Sequence, residues 1–213
     1  ILGLGRMWAT LRRWQPGIFT ASLLLIAAAT GSTTQASGAG AMITGGLTSQ
    51  PIGHYEFCKR FASECSIRPR DSGPVIVTDA LWNQISEVNK AVNAAVKPMS
   101  DYDVYGQDEY WAYPEQSVGD CEDYVLEKRR QLNALGISLS NLLITVLRKP
   151  DGEGHAVLTV RTNRGDFILD NLNDELRAWN ETGYQFLKRQ AANHTGRWVT
   201  IYDDQNMLVG SVD

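Results

Sequence analysis

The sequence predicts an α+β fold in which helices come first and an antiparallel sheet follows. Apolar residues recur at helical spacing over residues 79–96, and a second helical pattern runs from about Cys121 to Leu135. From residue 142 onward the spacing changes, and short β-branched runs alternate with turns rich in Gly, Asn and Asp. Helices followed by strands favour helices packed on a sheet.

The composition suits one globular domain. The chain has 213 residues, of which 43% are hydrophobic and 21% are charged, so there is enough apolar material for a core. The net charge is −4 and the sequence has no long basic run, so nucleic acid is not an expected partner.

The N-terminal region has the pattern of an export signal. Three arginines precede an apolar run, Ile18–Thr30, and small residues follow it. The run is 13 residues long, which is short for a membrane span. We expect residues 1–36 to be a signal peptide cleaved after Ala36, with an uncleaved membrane anchor as the alternative. Residues 37–50 are expected to be a flexible lead-in, and residues 51–213 the folded domain.

The three cysteines are Cys58, Cys65 and Cys121. In an oxidising compartment two of them are expected to pair, and the first two are close in sequence. Residues seven apart in one continuous helix are separated by about 10 Å along its axis, and a disulfide tolerates a Cα–Cα distance of about 7 Å at most. A Cys58–Cys65 bridge therefore requires the helix to break near Ser63. Two buried free thiols are the alternative.

The elements of the domain follow from local patterns. One helix begins at Thr78 or Asp79 and ends at Pro98. Three β runs joined by tight turns predict an antiparallel meander. The runs are residues 142–148, 155–162 and 166–172. Residues 173–196 are polar and expected to be partly helical, and "RWVTIYD" is expected to form the last strand.

A cysteine, a histidine and an aspartate are placed for nucleophilic catalysis. Cys121 begins a predicted helix, where the helix dipole favours a thiolate. A cysteine nucleophile also needs a base and a group that orients the base. If Asn163–Arg164 is a two-residue loop, Asp170 faces Val157 and His155 is a diagonal neighbour on the same sheet face. Strand alternation therefore permits a Cys–His–Asp triad.

Two further histidines and two loop residues are alternatives or accessories to this triad. His54 and His194 are the other candidate bases, but they lie in polar segments without the strand context. The backbone amide of Cys121 is one candidate oxyanion donor. Gln116 or the indole of Trp111 is a candidate for the second donor.

Two segments resemble a known family: "YWAYPEQSVGDCEDYVLEKRRQLNALGI" and "GHAVLTVRTNRGDFILDNL". They are similar to the bacterial transglutaminase-like cysteine proteinases, which include LapG-type periplasmic proteases that release surface adhesins. The resemblance covers roughly residues 52–203. It implies a papain-like, transglutaminase-core fold and peptide hydrolysis in the periplasm. It also implies that Cys121 is the nucleophile, His155 the general base and acid, and Asp170 the orienting group.

The same resemblance implies calcium bound by the acids beside the cysteine, here Asp120, Glu122 and Asp123. These charges disfavour a thiolate at Cys121, and a bound Ca²⁺, which takes oxygen ligands, would offset them. The alternative is that acids are favoured in the first turn of a helix. Three acids in the preceding loop are less favoured additional ligands: Asp101, Asp103 and Asp108.

The partners implied by the resemblance are a protein substrate, such as a surface adhesin, and an inner-membrane regulatory protein. Two other functions stay open. A transglutaminase or amidase would use the same triad and differ in whether an amine or water resolves the acyl-enzyme. A non-catalytic periplasmic binding module would not use the triad at all.

Overall fold

The computed structural model describes residues 40–203, and it has the predicted α+β architecture. The α-helices are α1 (Ile52–Arg60), α2 (Ala62–Cys65), α3 (Asp79–Ala95), α4 (Asp101–Tyr105) and α5 (Cys121–Ala134). Short 3₁₀ turns cover Leu139–Asn141 and Trp179–Glu181. The strands are β1 (Ile43–Thr48), β2 (Lys97–Pro98), β3 (Val118–Gly119), β4 (Leu142–Arg148), β5 (Gly154–Thr162), β6 (Gly165–Asp170), β7 (Asn173–Ala178), β8 (Gln185–Ala191) and β9 (His194–Tyr202).

Seven of the strands form one antiparallel sheet in the order β1-β9-β8-β4-β5-β6-β7. β2 and β3 form a separate parallel pair just before α5. The helix α5 packs against β4, β5 and β6, and α3 packs against α5 and β7. The first residue of α5 therefore lies at one end of the sheet, where β5 begins and β6 ends.

The sheet has a hydrophobic core on each face, because side chains alternate along a strand. Along β5, Ala156, Leu158 and Val160 belong to the core that the helices cover. Val157 belongs to a second core on the opposite face, with Met42. The other buried members of that second core are Leu147, Ile168, Phe186 and Ile201.

The hairpin between β5 and β6 has the register that the sequence predicts. Thr162 pairs with Gly165, so the loop is the two residues Asn163–Arg164. Leu158 pairs with Leu169, which places Asp170 opposite Val157. The side chains of these two strands therefore alternate as expected.

The flexible lead-in predicted for residues 37–50 is wrong in part, because Ile43–Thr48 form β1. This strand pairs with β9 at the edge of the sheet. Two glycines give the segment the composition of a linker. At Gly45, however, the neighbouring strand leaves no room for a side chain. A Cβ at this position would lie 2.4 Å from the Thr200 hydroxyl and 2.9 Å from the Tyr202 ring.

The partly helical structure predicted for residues 173–196 is also wrong. Most of this segment forms β7, β8 and the start of β9, which complete the sheet. Charged residues interrupt the alternation of apolar and polar side chains that is typical of a strand along β8, and one of these charged side chains points inward. Arg189 is buried and forms an ion pair with buried Asp166 at 2.8 Å, which makes an arginine acceptable inside a strand.

The predicted signal peptide, residues 1–36, lies outside the described residues. Within residues 40–203, none of the helices combines the length and the apolar character that crossing a bilayer requires.

A disulfide joins Cys58 to Cys65, as predicted, with a Cα–Cα distance of 5.5 Å. The helix breaks at Phe61, two residues before the predicted point, where ψ is 59°. The break separates α1 from α2 and brings the two sulfur atoms together.

We expect reduction of this disulfide to lower the free energy of unfolding by about 2–3 kcal/mol, because the bridge closes a short loop. The measurement is urea denaturation of the Cys58→Ala/Cys65→Ala variant beside the wild-type protein. The Cys121→Ala variant is the control, since its thiol is free. Alkylation of three thiols without prior reduction would contradict the pairing.

Candidate active site

The thiol of Cys121 lies at the start of α5, in the wall of a cleft. Cys121 is the first residue of this helix and is half-buried. It lines a cleft of about 460 Å³ together with His155 and Trp111. A more open groove of about 500 Å³ reaches the same cysteine from the side of Asn171. The thiol therefore lies where two depressions meet.

His155 and Asp170 form a buried hydrogen-bonded pair beside this thiol. The imidazole Nε2 lies 2.9 Å from Oδ1 of Asp170, and both side chains are nearly excluded from solvent. Because Nε2 is occupied by the carboxylate, Nδ1 is the ring nitrogen left for another partner. The structure thus brings the three predicted triad residues to one end of the sheet.

Two further donors hold the carboxylate of Asp170. The backbone N–H of Leu172 donates to Oδ1 at 3.0 Å, and the hydroxyl of Tyr184 donates to Oδ2 at 2.7 Å. Burial raises the pKa of Asp170, but the hydrogen bond and charge of His155, with these two donors, outweigh burial and hold the pKa below its ordinary value. Tyr184 also meets the ring of His155 edge-on, with 5.9 Å between centroids.

The thiol of Cys121 is held in its protonated form by its surroundings. It donates to Oε2 of Glu122 at 3.3 Å. Burial raises the pKa of Cys121, and the charge of Glu122 raises it further, against the effect of the Ala156 backbone N–H. The acids beside the cysteine therefore oppose ionisation, as the sequence suggested.

Three carboxylates form a compact cluster beside Cys121. Oxygen atoms of Asp101, Asp120 and Asp123 lie within 4.8 Å of one another. In the described part of the chain, one buried oxygen of each has no hydrogen-bond partner. The other oxygens of Asp101 and Asp123 accept from backbone N–H groups of the same loop. These bonds fix two of the three carboxylates in place.

The electrostatics of the cluster fit a cation. Burial raises the pKa of Asp123 to about 8, and the charges of Asp120 and Asp101 add to this. Burial also raises the pKa of Asp101. Partnerless carboxylate oxygens packed together are ligands for a hard ion such as Ca²⁺, and the cluster itself holds no sulfur or nitrogen ligand.

The predicted acids divide between this cluster and its surroundings. Glu122 groups with Asp120 and the sulfur of Cys121, and burial raises its pKa well above the ordinary value. Asp101, a less favoured residue in the sequence, is a central member of the cluster. Asp103 is exposed and accepts a hydrogen bond from the hydroxyl of Ser100, and Asp108 is exposed, so neither belongs to it.

The alternative residues proposed for the site lie elsewhere or serve other contacts. His54 is buried beside Trp111 and Trp198, and burial lowers its pKa to about 3, so it is a neutral core residue. His194 begins β9, which lies three strands away from β5 in the sheet. Gln116 lines a different pocket, whereas Trp111 lines the cleft and donates its indole N–H to Glu109 at 3.3 Å.

A family model for bacterial transglutaminase-like cysteine proteinases matches residues 44–206. Two solved structures of Legionella pneumophila LapG are similar at 24% identity and a TM-score of 0.49. The calcium-bound one aligns over 58% of this chain and 72% of its own, and the EGTA-treated one over 60% and 74%. No curated protein matches the chain.

The family model spans more than half of the chain. Helices packed on an antiparallel sheet are also the architecture expected of a transglutaminase-like core. The chain therefore belongs to the bacterial transglutaminase-like cysteine proteinases, and it is a cysteine protease.

Proposed function

We propose that this protease hydrolyses peptide bonds with Cys121, His155 and Asp170 as its catalytic triad. The observation that carries the proposal is the His155–Asp170 hydrogen bond at the edge of the cleft that exposes Cys121. This bond fixes the ring so that Nδ1 is the nitrogen available to the thiol. A nucleophile, a base and an orienting carboxylate are the parts that acyl transfer by a cysteine requires.

Acylation follows from these positions. The sulfur of Cys121 attacks the peptide carbonyl carbon while Nδ1 of His155 takes the thiol proton. The C–N bond then breaks, the imidazolium gives its proton to the leaving amine, and a thioester to Cys121 remains. Asp170 keeps the imidazole in the required tautomer and favours its charged form.

Deacylation reverses the roles of the same groups. His155 removes a proton from water, which attacks the thioester carbonyl and releases the carboxylic acid and the thiol. In both steps the negative oxygen needs donors. The backbone N–H of Cys121 at the start of α5 is the donor that we propose.

Calcium is proposed to bind at Asp101, Asp120 and Asp123, with Glu122 as an adjacent fourth carboxylate. When bound, the ion supplies positive charge that offsets these carboxylates, and it takes no part in the bond changes. Support comes from the three partnerless buried oxygens and from the raised pKa of Asp123. Asp120 directly precedes Cys121, so order in the cluster also orders the start of α5.

The substrate is proposed to be an exported or surface protein such as an adhesin, processed in the periplasm under an inner-membrane regulatory protein. A protease acts on proteins, and the open form of the two depressions beside Cys121 suits a flexible segment of one. The apolar run Ile18–Thr30 after three arginines supports export.

One experiment tests both the substrate and the reaction type. The protein with its N-terminal segment is expressed in a strain that lacks it, and the cells are supplied with Ca²⁺ and a tagged primary amine. We expect released surface proteins with new N-termini, because water resolves the thioester. The Cys121→Ala variant is the control and should release none. Amine incorporation at glutamine without new N-termini would show a transglutaminase instead, and release by the control would exclude the triad.

A further inference from the structure

Tyr184 contacts both members of the His155–Asp170 pair, and the proposed chemistry gives it no part. Its hydroxyl donates to Oδ2 of Asp170 at 2.7 Å. The other oxygen, Oδ1, accepts from Nε2 of His155 at 2.9 Å and from the N–H of Leu172 at 3.0 Å. The hydroxyl therefore leaves Oδ1 to the imidazole, and it restrains the carboxylate from rotating by holding its second oxygen.

The burial of Asp170 makes this hydroxyl hard to replace. Asp170 is 4% exposed, so water has little access to its carboxylate. A buried acceptor that loses its donor keeps the cost of desolvation without a compensating hydrogen bond. The carboxylate would then relieve that cost by turning or by taking up a proton, and either change disturbs its bond to His155.

The ring of Tyr184 packs against the imidazole as well. It meets the ring of His155 edge-on, with 5.9 Å between centroids, and lies 6.5 Å from the ring of Phe186. Tyr184 packs at the border of the second core, the one that contains Val157. Within residues 40–203, Tyr184 is not part of the lining of either depression beside Cys121. It therefore reaches the pair from behind and not from the substrate side.

A hydrogen-bonded turn before β8 holds Tyr184 in place. Its backbone N–H donates to the hydroxyl oxygen of Thr182 at 3.2 Å, and that hydroxyl donates to the carbonyl of Trp179 at 2.8 Å. The indole N–H of Trp179 donates to the carbonyl of Gly40 at 2.8 Å. Between Thr182 and Tyr184, Gly183 has a φ of +74°, which favours glycine. The direction of the hydroxyl is thus set by the fold.

The electrostatics keep the hydroxyl a donor and the carboxylate an acceptor. Burial raises the pKa of Tyr184, and the hydrogen bond to Asp170 and its charge raise it further. Burial also raises the pKa of Asp170, but the hydrogen bonds from His155 and Tyr184 are among the effects that lower it. A hydrogen bond donated to the charged form of a carboxyl group favours that form.

We propose that Tyr184 is a positioning residue for peptide hydrolysis, whose hydroxyl holds the Asp170 carboxylate so that Oδ1 stays on Nε2 of His155 and Nδ1 stays free for the thiol. The inference rests on the proposed triad and extends it to a residue outside the cleft. Because Tyr184 acts through Asp170, it affects the chemical step and leaves substrate binding nearly unchanged.

The test replaces Tyr184 by phenylalanine, which keeps the ring beside His155 and removes the hydroxyl. The full chain with Ca²⁺ is used, and turnover is measured on a fluorogenic peptide that the wild-type protein cleaves and the Cys121→Ala variant does not. We expect kcat to fall about tenfold while KM stays within about twofold. Tyr202→Phe, at an exposed tyrosine of β9, is the matched control and should change neither constant.

The pH profile separates this role from a structural one. Without the hydroxyl, Asp170 takes up a proton at a higher pH, so the acidic limb of kcat/KM should move to higher pH. Among the described residues, Lys128 and Arg177 also act by charge on Asp170 or Tyr184, and the Tyr184→Phe variant retains both. A shift of the limb therefore belongs to the lost hydroxyl.

A double variant tests whether Tyr184 acts through Asp170. In the Asp170→Ala protein the hydroxyl has no carboxylate to hold, so adding Tyr184→Phe should lower kcat by less than about twofold. A further tenfold loss in that background would overturn the proposal, because Tyr184 would then act by another route.

The remaining outcomes also decide the question. Unchanged kcat or an unmoved acidic limb in folded Tyr184→Phe protein overturns the proposal. Failure of this variant to fold does so too, because the hydroxyl would then serve stability. Turnover that survives in the Cys121→Ala variant overturns the triad and this inference together. An inactive Cys121→Ala variant beside a fully active Tyr184→Phe variant overturns this inference alone.

Discussion

Replacing Cys121, His155 or Asp170 by alanine is expected to lower kcat by about 10³-fold or more. Each change removes a different part of the proposed triad: the nucleophile, the proton carrier or the group that orients it. The Cys121 change is the mildest for folding, because its side chain is half-buried at the cleft. The measurements are turnover of a fluorogenic peptide and the thermal midpoint of each variant.

Double variants check that the three residues act together. Combining two of the alanine changes should cost little more than the worse single change, because a broken triad has little left to lose. Defects that multiply would show independent roles and a wrong assignment. His194→Ala is the histidine control, since His194 lies on β9 and should leave kcat unchanged.

The local parts of the fold were predictable because each depends on near neighbours in the sequence. Helix α3 begins after Thr78, whose hydroxyl accepts from the N–H of Leu81. Helix α5 ends before Gly136, which has a φ of +95° that favours glycine. The two-residue turn before Gly165 sets the register of β5 and β6.

The missed parts depend on contacts between distant segments. β1 is a strand because β9 offers it an edge, about 150 residues later in the chain. Tyr184 reaches Asp170 only because β8 joins the sheet beside β4, and the segment before it has no pattern that marks an active-site residue. Such placements come from tertiary structure, which a local pattern does not encode.

The acidic cluster contains residues that local sequence predicts and one residue that only the tertiary structure brings in. Asp120, Glu122 and Asp123 were visible as candidates because they directly flank Cys121. Asp101 was no better a candidate than Asp103 or Asp108 in the sequence. It joins the cluster because the backbone N–H of Tyr110 holds its carboxylate and because the loop folds back onto α5.

Calcium removal is expected to lower stability and turnover, and more so as the pH rises. The pKa of Asp123 is about 8 without metal, far above the ordinary value for Asp. Between about pH 4 and pH 8 the folded protein therefore holds a proton that the unfolded chain has lost. Stability of the chelated protein should fall as the pH rises through that window. Calcium needs ionised carboxylates, so its stabilising effect should grow over the same window.

Asp123→Asn isolates this effect with an isosteric change. It removes one titrating group, so between pH 5 and pH 8 the thermal midpoint of the chelated variant should fall less than that of the chelated wild-type protein. It also removes a ligand, so calcium affinity measured by calorimetry should fall about tenfold or more, and turnover at pH 8 should fall with it.

Asp108→Asn is the control for a nearby acid, because Asp108 is exposed and outside the cluster. It should bind calcium and turn over substrate as the wild-type protein does. Mg²⁺ should restore the chelated wild-type protein poorly, because this ion gives up its water reluctantly to a site of several carboxylates. If the chelated protein keeps full activity at pH 8 and calorimetry detects no calcium uptake, the partnerless oxygens do not form a metal site. Their charge would then have to be relieved by protonation alone, and turnover would decline as Asp123 ionises.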